Sequence, residues 1–323
     1  MIRILAALAF FLLALGLAAP ASAQITVVPP DQQRAAVAHA GVAVAAGQRI
    51  TAILMPLMEN PELAAARTPE QLLDVLTRML PQIAAGRQEL QAIEQELSAL
   101  PTLAGPDVHP EIAMVDNAVA NMIRVASHAD GVLADHAELA DALRKRDYER
   151  VEALVQSLVK ASVVIMESQA VSMRGQLPLM GSDSSQYAIL SGMACFYEGA
   201  AALQRGAYGM VSRAEATRQL ATAQQCIEEQ IETGRRNLAI EAATPPPHPA
   251  LRQMHSQIIP AMEAFLDHLV SAADIMADAR ISMMEGWSQE RLFAVYNPRV
   301  LEFQLGLQPL QRRILEVNQT QGR

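Results

Sequence analysis

The sequence predicts an all-α protein, a multi-helix bundle of about eight helices. Three observations carry that prediction. Apolar residues recur at helical 3-4 spacing almost everywhere beyond the first two dozen positions. The apolar fraction is 51%, much of it alanine, while aromatics make up 4%. Alanine is the strongest helix former, and no Val-, Ile-, Thr- or aromatic-rich alternating run of strand type is found. Finally, helix-start residues stand where the periodic runs begin.

Residues 1–23 are set apart from this pattern. "MIR" supplies a short positive start, "ILAALAFFLLALGLAA" an apolar stretch, and "ASA" (Ala21 to Ala23) a small-residue cleavage motif. These are the parts of a secretory signal peptide. The apolar run is short for a span of about 20 residues, and no Cys follows it to take a lipid. The expectation is a cleaved leader and an exported chain, periplasmic in a Gram-negative bacterium and secreted otherwise. Beyond the leader no uncharged stretch reaches spanning length: "VEALVQSLVKASVVIM" carries Glu152 and Lys160.

The first periodic segment runs over 31–59, with Pro56 expected to bend or split it. The second, 69–100, opens on "TPEQ": Thr68 is the cap, Pro69 the first helical residue, and Gln71 completes a capping box. Its seam changes phase around Pro81 and Gly86, which predicts a kink. Segment 110–146 follows with Ile112, Val115, Val119, Met122, Ala126 and Leu133 on one face. It ends in Arg144, Lys145 and Arg146, cations suited to the negative end of a helix dipole. Asp147 caps 148–176, where Val151, Leu154, Val155, Leu158, Val159, Val163 and Met166 mark one face.

The "GSDSSQ" loop leads into 186–206. Ser212 and Glu215 stand at capping-box spacing before 212–243. Segment 249–286 carries Ile258, Met262, Phe265, Leu269 and Met276, with Pro260 a second expected bend. The last segment, 289–318, is expected to break at "YNPRV" around Pro298. Two proline-studded stretches, "GPDVHPEI" and "TPPPHPAL", read as helix stops followed by restarts. Pro110 and Pro249 sit in the first turn and His109 and His248 beside the cap.

Those pairs lie 139 residues apart (248 − 109). Thr68 and Ser212 lie 144 apart (212 − 68), and Asp147 and Ser288 lie 141 apart (288 − 147). The intervals point to a duplicated four-helix unit; the competing reading is that any helical array reuses the same caps. On that basis 24–176 forms a first helical unit and 177–323 a second.

Only Cys195 and Cys226 are present. Folding the chain about Gly209 in "RGAYGMV" places Cys195 14 residues before the turn (209 − 195) and Cys226 17 after it (226 − 209). Their levels then differ by roughly 4–5 Å at helical rise, within reach of a bridge. An exported chain meets oxidising conditions, so an intramolecular disulfide is expected. The spacing is not Cys-x-x-Cys, and no cation adjoins either cysteine in sequence, so a redox-active pair is not expected.

Charge and motifs exclude several functions. The formal charge is −9, without a basic stripe, which argues against nucleic acid or an anionic membrane as partner. Glu-x-x-His pairs, His-Glu-x-x-His, haem-attachment and zinc-finger spacings are all missing. The nearest metal constellation is His128, Asp135 and His136 in "SHADGVLADH", with His268 on a later helix. Ordinary polar positions on amphipathic helices explain these equally. Sixteen methionines offer soft ligands but read as core filler. No nucleophile motif and no phosphate loop occurs, so no catalytic residue and no cofactor is expected. The resulting expectation is a non-enzymatic binding or interaction protein that holds a partner protein or a small apolar ligand. A periplasmic copper or zinc carrier, an enzyme with a scattered site, and a structural envelope protein are the alternatives.

Overall fold

A computed structural model describes residues 30–319 apart from short stretches at 59, 61, 64–65, 67, 104–109, 178–179 and 246–248. The expected leader, His109 and His248 lie outside the described residues. Eight long helices account for nearly all of the rest, and no strand occurs among the described residues. They are α1 Pro30–Met58, α2 Pro69–Ser98, α3 Pro110–Lys145, α4 Tyr148–Gln176, α5 Ser185–Ala207, α6 Arg213–Ala243, α7 Pro249–Met284 and α8 Gln289–Gln319. The chain divides into two compact units after Ile165, within α4.

Local chemistry starts and stops these helices. Thr68 forms the full capping box: its hydroxyl accepts from the Gln71 amide, and the Gln71 side chain accepts from the Thr68 amide. Ser184, Ser212 and Asp147 cap α5, α6 and α4 through their side-chain oxygens. Pro110 and Pro249 are the first residues of α3 and α7, where the missing N–H removes no bond.

Three helix-to-helix turns share one device. Arg146, Gly209 and Gly286 take positive φ of 56°, 68° and 75°. The next amide then reaches back five residues: Asp147 to Ala142, Met210 to Arg205, Trp287 to Ser282. That is the Schellman closure, which satisfies carbonyls at a helix end.

In the first unit α2 runs antiparallel to both α1 and α3. At Gly86 the three helices are tightly packed: a Cβ there would stand 2.8 Å from Ile53 and 3.0 Å from Leu133. Around this point Arg87 binds Asp130 through two nitrogens, at 2.8 and 3.3 Å, and Arg49 spans Glu89 and Glu96. Ile50, Leu76, Ile83, Leu90, Ile93, Ala126 and Leu133 fill the core. α2 is continuous through Pro81 and Gly86. Arg34–Leu54 of α1 is the one described stretch long and apolar enough to cross a membrane by length and composition. Here it serves as a core helix: Ile50 and Leu54 are buried, and Arg49 is committed to α2.

The second unit is built around α5, whose residues are almost all buried. Gly192, Gly199 and Gly206 recur every seven residues, and each meets a large side chain of α7 (Leu269, Met276 and Met283, also seven apart). On α6 the same layers hold Gln230, Ala223 and Ala216. A seven-residue repeat keeps one seam facing its partner along the helices. α5 and α7 therefore run parallel, with α6 antiparallel to both. Gly234 of α6 adds a fourth layer, against Leu266 and Ala188.

The expected break in α8 does not occur. Its helix runs unbroken through Pro298 and Pro309, and α1 and α7 likewise run through Pro56 and Pro260. Pro298 lies on the solvent side of α8, where losing one ladder bond costs least. Tyr296 and Phe303 are buried on either side of it. Tyr296 shares a 2.7 Å hydrogen bond with Ser282 of α7, and Arg299 pairs with Asp278 at 2.7 Å. Packing on both flanks overrides the local breaker.

Two glycine substitutions should move stability in opposite directions. Gly199→Ala puts a methyl 2.9 Å from Ala223 and against the Met276 sulfur; it should cost about 1–3 kcal/mol through overpacking. Gly131→Ala in the middle of α3 meets nothing within 4 Å and should gain roughly 0.5–1 kcal/mol of helix propensity. Urea denaturation followed by circular dichroism measures both.

Candidate functional site

His136 and His268 are absorbed into the fold. His136 is buried on α3, and its Nδ1 stands 2.6 Å from the Val132 carbonyl one turn back. That contact makes Nδ1 the protonated nitrogen and leaves Nε2 buried without a hydrogen-bond partner. Burial pushes the ring's pKa down from its ordinary 6.5, against smaller upward pulls from Val132 and Asp135. His128 and Asp135 are half-buried on the same helix.

His268 belongs to the second unit. Its ring stacks on Phe303, centroids 4.5 Å apart, and Nε2 stands 2.6 Å from the Phe303 carbonyl. The ring rests against Gly306, where a Cβ would come within 2.8 Å of Nε2. Among the described residues no three His, Cys, Asp or Glu side chains gather to hold a metal ion.

Cys195 and Cys226 form the expected disulfide between α5 and α6, with Cα atoms 6.1 Å apart. Cys195 is fully buried; Cys226 keeps part of its surface in solvent. The fold adds to this pair what sequence adjacency lacks. A cation does adjoin it: Arg174, in the last turn of α4, directs Nη2 at the Cys195 sulfur, 3.5 Å away. The same guanidinium binds Glu198 through two nitrogens, at 2.6 and 2.7 Å. Arg174 lies 21 residues before Cys195 on another helix, and sequence adjacency carries no trace of it.

Exposed apolar residues of helical period lie on α4, at Val164 and Val171, and more extensively on α7. Val270, Ala277, Ile281 and Met284 follow 7-4-3 spacing on α7 and lie on its outer side. Val270 is 37% exposed, Ile281 48% and Met284 70%, while Ala277 is half-buried. The exposed carboxylates of Asp274 and Glu285 flank the stripe. At its end the two glycine turns meet, where Arg213 donates to the Trp287 carbonyl at 2.8 Å and Arg291 stacks over the indole at 3.6 Å. The sequence held a signal for the stripe: Val270, Ile281 and Met284 are apolar residues outside the 3-4 series Ile258, Met262, Phe265, Leu269 and Met276.

No protein-family model, curated protein or solved structure matches this chain.

Two outcomes test this geometry. With its pKa lowered in the fold, His136 binds a proton less readily there than in the unfolded chain. Stability should therefore fall as pH drops below about 6.5, until the folded ring itself protonates. His136→Gln should flatten that slope in urea titrations taken at successive pH values. Replacing Cys226 by Ala should lower stability by on the order of 3 kcal/mol, the closure entropy of such a loop. In the parent chain, neither thiol should alkylate before reduction when unreduced protein is examined by mass spectrometry.

Proposed function

We propose that this chain is an exported, non-enzymatic helical protein that holds a partner through the outer face of α7. The leader-like residues 1–23 support export. The observation that carries the binding role is the stripe Val270–Ala277–Ile281–Met284. A soluble helix normally keeps such positions polar, and large exposed apolar side chains gathered in a row mark interaction surfaces. Its flanking carboxylates favour a partner helix with apolar residues on one face and Lys or Arg at the edges, the helix-to-face mode of recognition.

The polar inventory supports binding over catalysis. His136, His255 and His268 engage backbone carbonyls. Arg87, Arg174 and Arg299 are taken up in pairs with carboxylates. These groups position helices.

The test is a photo-crosslinking residue at position 284, used in cells of the native source. A discrete protein adduct should form, and Ile281→Ser in the same chain should weaken it by tenfold or more. That loss corresponds to roughly 1.5–3 kcal/mol for one buried apolar side chain. No adduct, or an adduct indifferent to Ile281→Ser, would sink the reading.

A further inference from the structure

We propose that the Cys195–Cys226 bridge is a thiol–disulfide exchange site, entered by an external low-molecular-weight thiolate at Cys226 with Cys195 as the leaving group. Three observations place the roles. Cys226 is the half of the pair with surface in solvent, whereas Cys195 has none. Arg174 points a guanidinium nitrogen at the Cys195 sulfur from 3.5 Å, where it stabilises negative charge as the bond breaks. The helices bearing the two cysteines are also held on both sides of the bridge by glycine layers, Gly192 with Gln230 before it and Gly199 with Ala223 after it. Opening the bond therefore leaves α5 and α6 packed together.

The electrons balance as ordinary exchange. The incoming thiolate sulfur bonds to Cys226 Sγ, the bond to Cys195 breaks, and its electron pair remains on Cys195 as a thiolate. A second external thiolate then attacks the mixed disulfide, releasing the oxidised external disulfide and freeing Cys226. The cysteine pair has gained two electrons and the external thiols have lost them. A leaving thiol of lower pKa departs faster, and a neighbouring cation lowers a thiol's pKa.

Among the described residues, carboxylates on both cysteine-bearing helices lie within a turn of the pair. Glu198 on α5 shares Arg174 and opposes it. Glu229, one turn from Cys226 on α6, accepts from Gln225 at 2.8 Å. By register α7 presents the buried Ala272 and Ala273 at this layer, and α8 presents Phe303 against Phe196. Arg174 is thus the cation that favours departure from Cys195.

The experiment treats the folded full chain with reduced glutathione, traps with iodoacetamide, and maps adducts by peptide mass spectrometry. Glutathione should be found on Cys226 and the alkyl group on Cys195. Arg174→Gln should slow adduct formation on the order of tenfold, Arg174→Lys should restore much of the rate, and Glu198→Gln should raise it, as leaving-group effects require. Adduct position is read on the unaltered chain, so it decides the matter even where Arg174→Gln fails to fold. Glutathione on Cys195, equal rates with and without Arg174, or exchange seen only in urea would each overturn the proposal. None of these results bears on whether α7 holds a partner, which the crosslink at position 284 reads separately.

Discussion

The second unit depends on absent side chains. Gly192, Gly199 and Gly206 leave α5 without a Cβ at three successive levels, and Leu269, Met276 and Met283 of α7 occupy that space. Because both series repeat every seven residues, one misplaced methyl is felt in a contact that has no slack. Alanines at 216 and 223 continue the economy of size on α6. Close approach of three backbones lets a chain with few aromatics build a dense core, since dispersion gains come from many short contacts. It also sets the separation at which Cys195 and Cys226 can be joined.

Ionic contacts play a secondary part. Most ion pairs lie between side chains that are about a third or more exposed, where each contributes about 0–1 kcal/mol. Their value is in register. Arg87 with Asp130 fixes α2 against α3, and Arg299 with Asp278 fixes α8 against α7. Arg174 differs because its partner list includes a sulfur as well as a carboxylate. The same fold that buries Cys195 supplies the cation beside it.

Much of this was legible in the residues. Thr68, Ser212 and Asp147 announce helix starts because a short oxygen-bearing side chain can satisfy an amide that the helix leaves open. The disulfide followed from rise per residue and a turn at Gly209, quantities that hold for any pair of antiparallel helices. His128, Asp135, His136 and His268 were visible as polar residues on helices, but their fates were not. Whether a ring nitrogen meets a carbonyl or solvent depends on which way its face turns, and periodicity leaves that open at a boundary position. His136, turned inward, and His128, at the margin, illustrate the difference.

The sequence by itself determined the helices, their caps and the cysteine pairing, because each rests on interactions within a few residues or on fixed helical geometry. Tertiary structure alone decided that α8 continues through Pro298, that Gly199 receives Met276, that Arg174 faces Cys195 and that Ile281 and Met284 look outward. Each of those depends on atoms brought together from distant parts of the chain. The energy of such contacts scales with how closely surfaces fit, and fit is a property of the assembled helices.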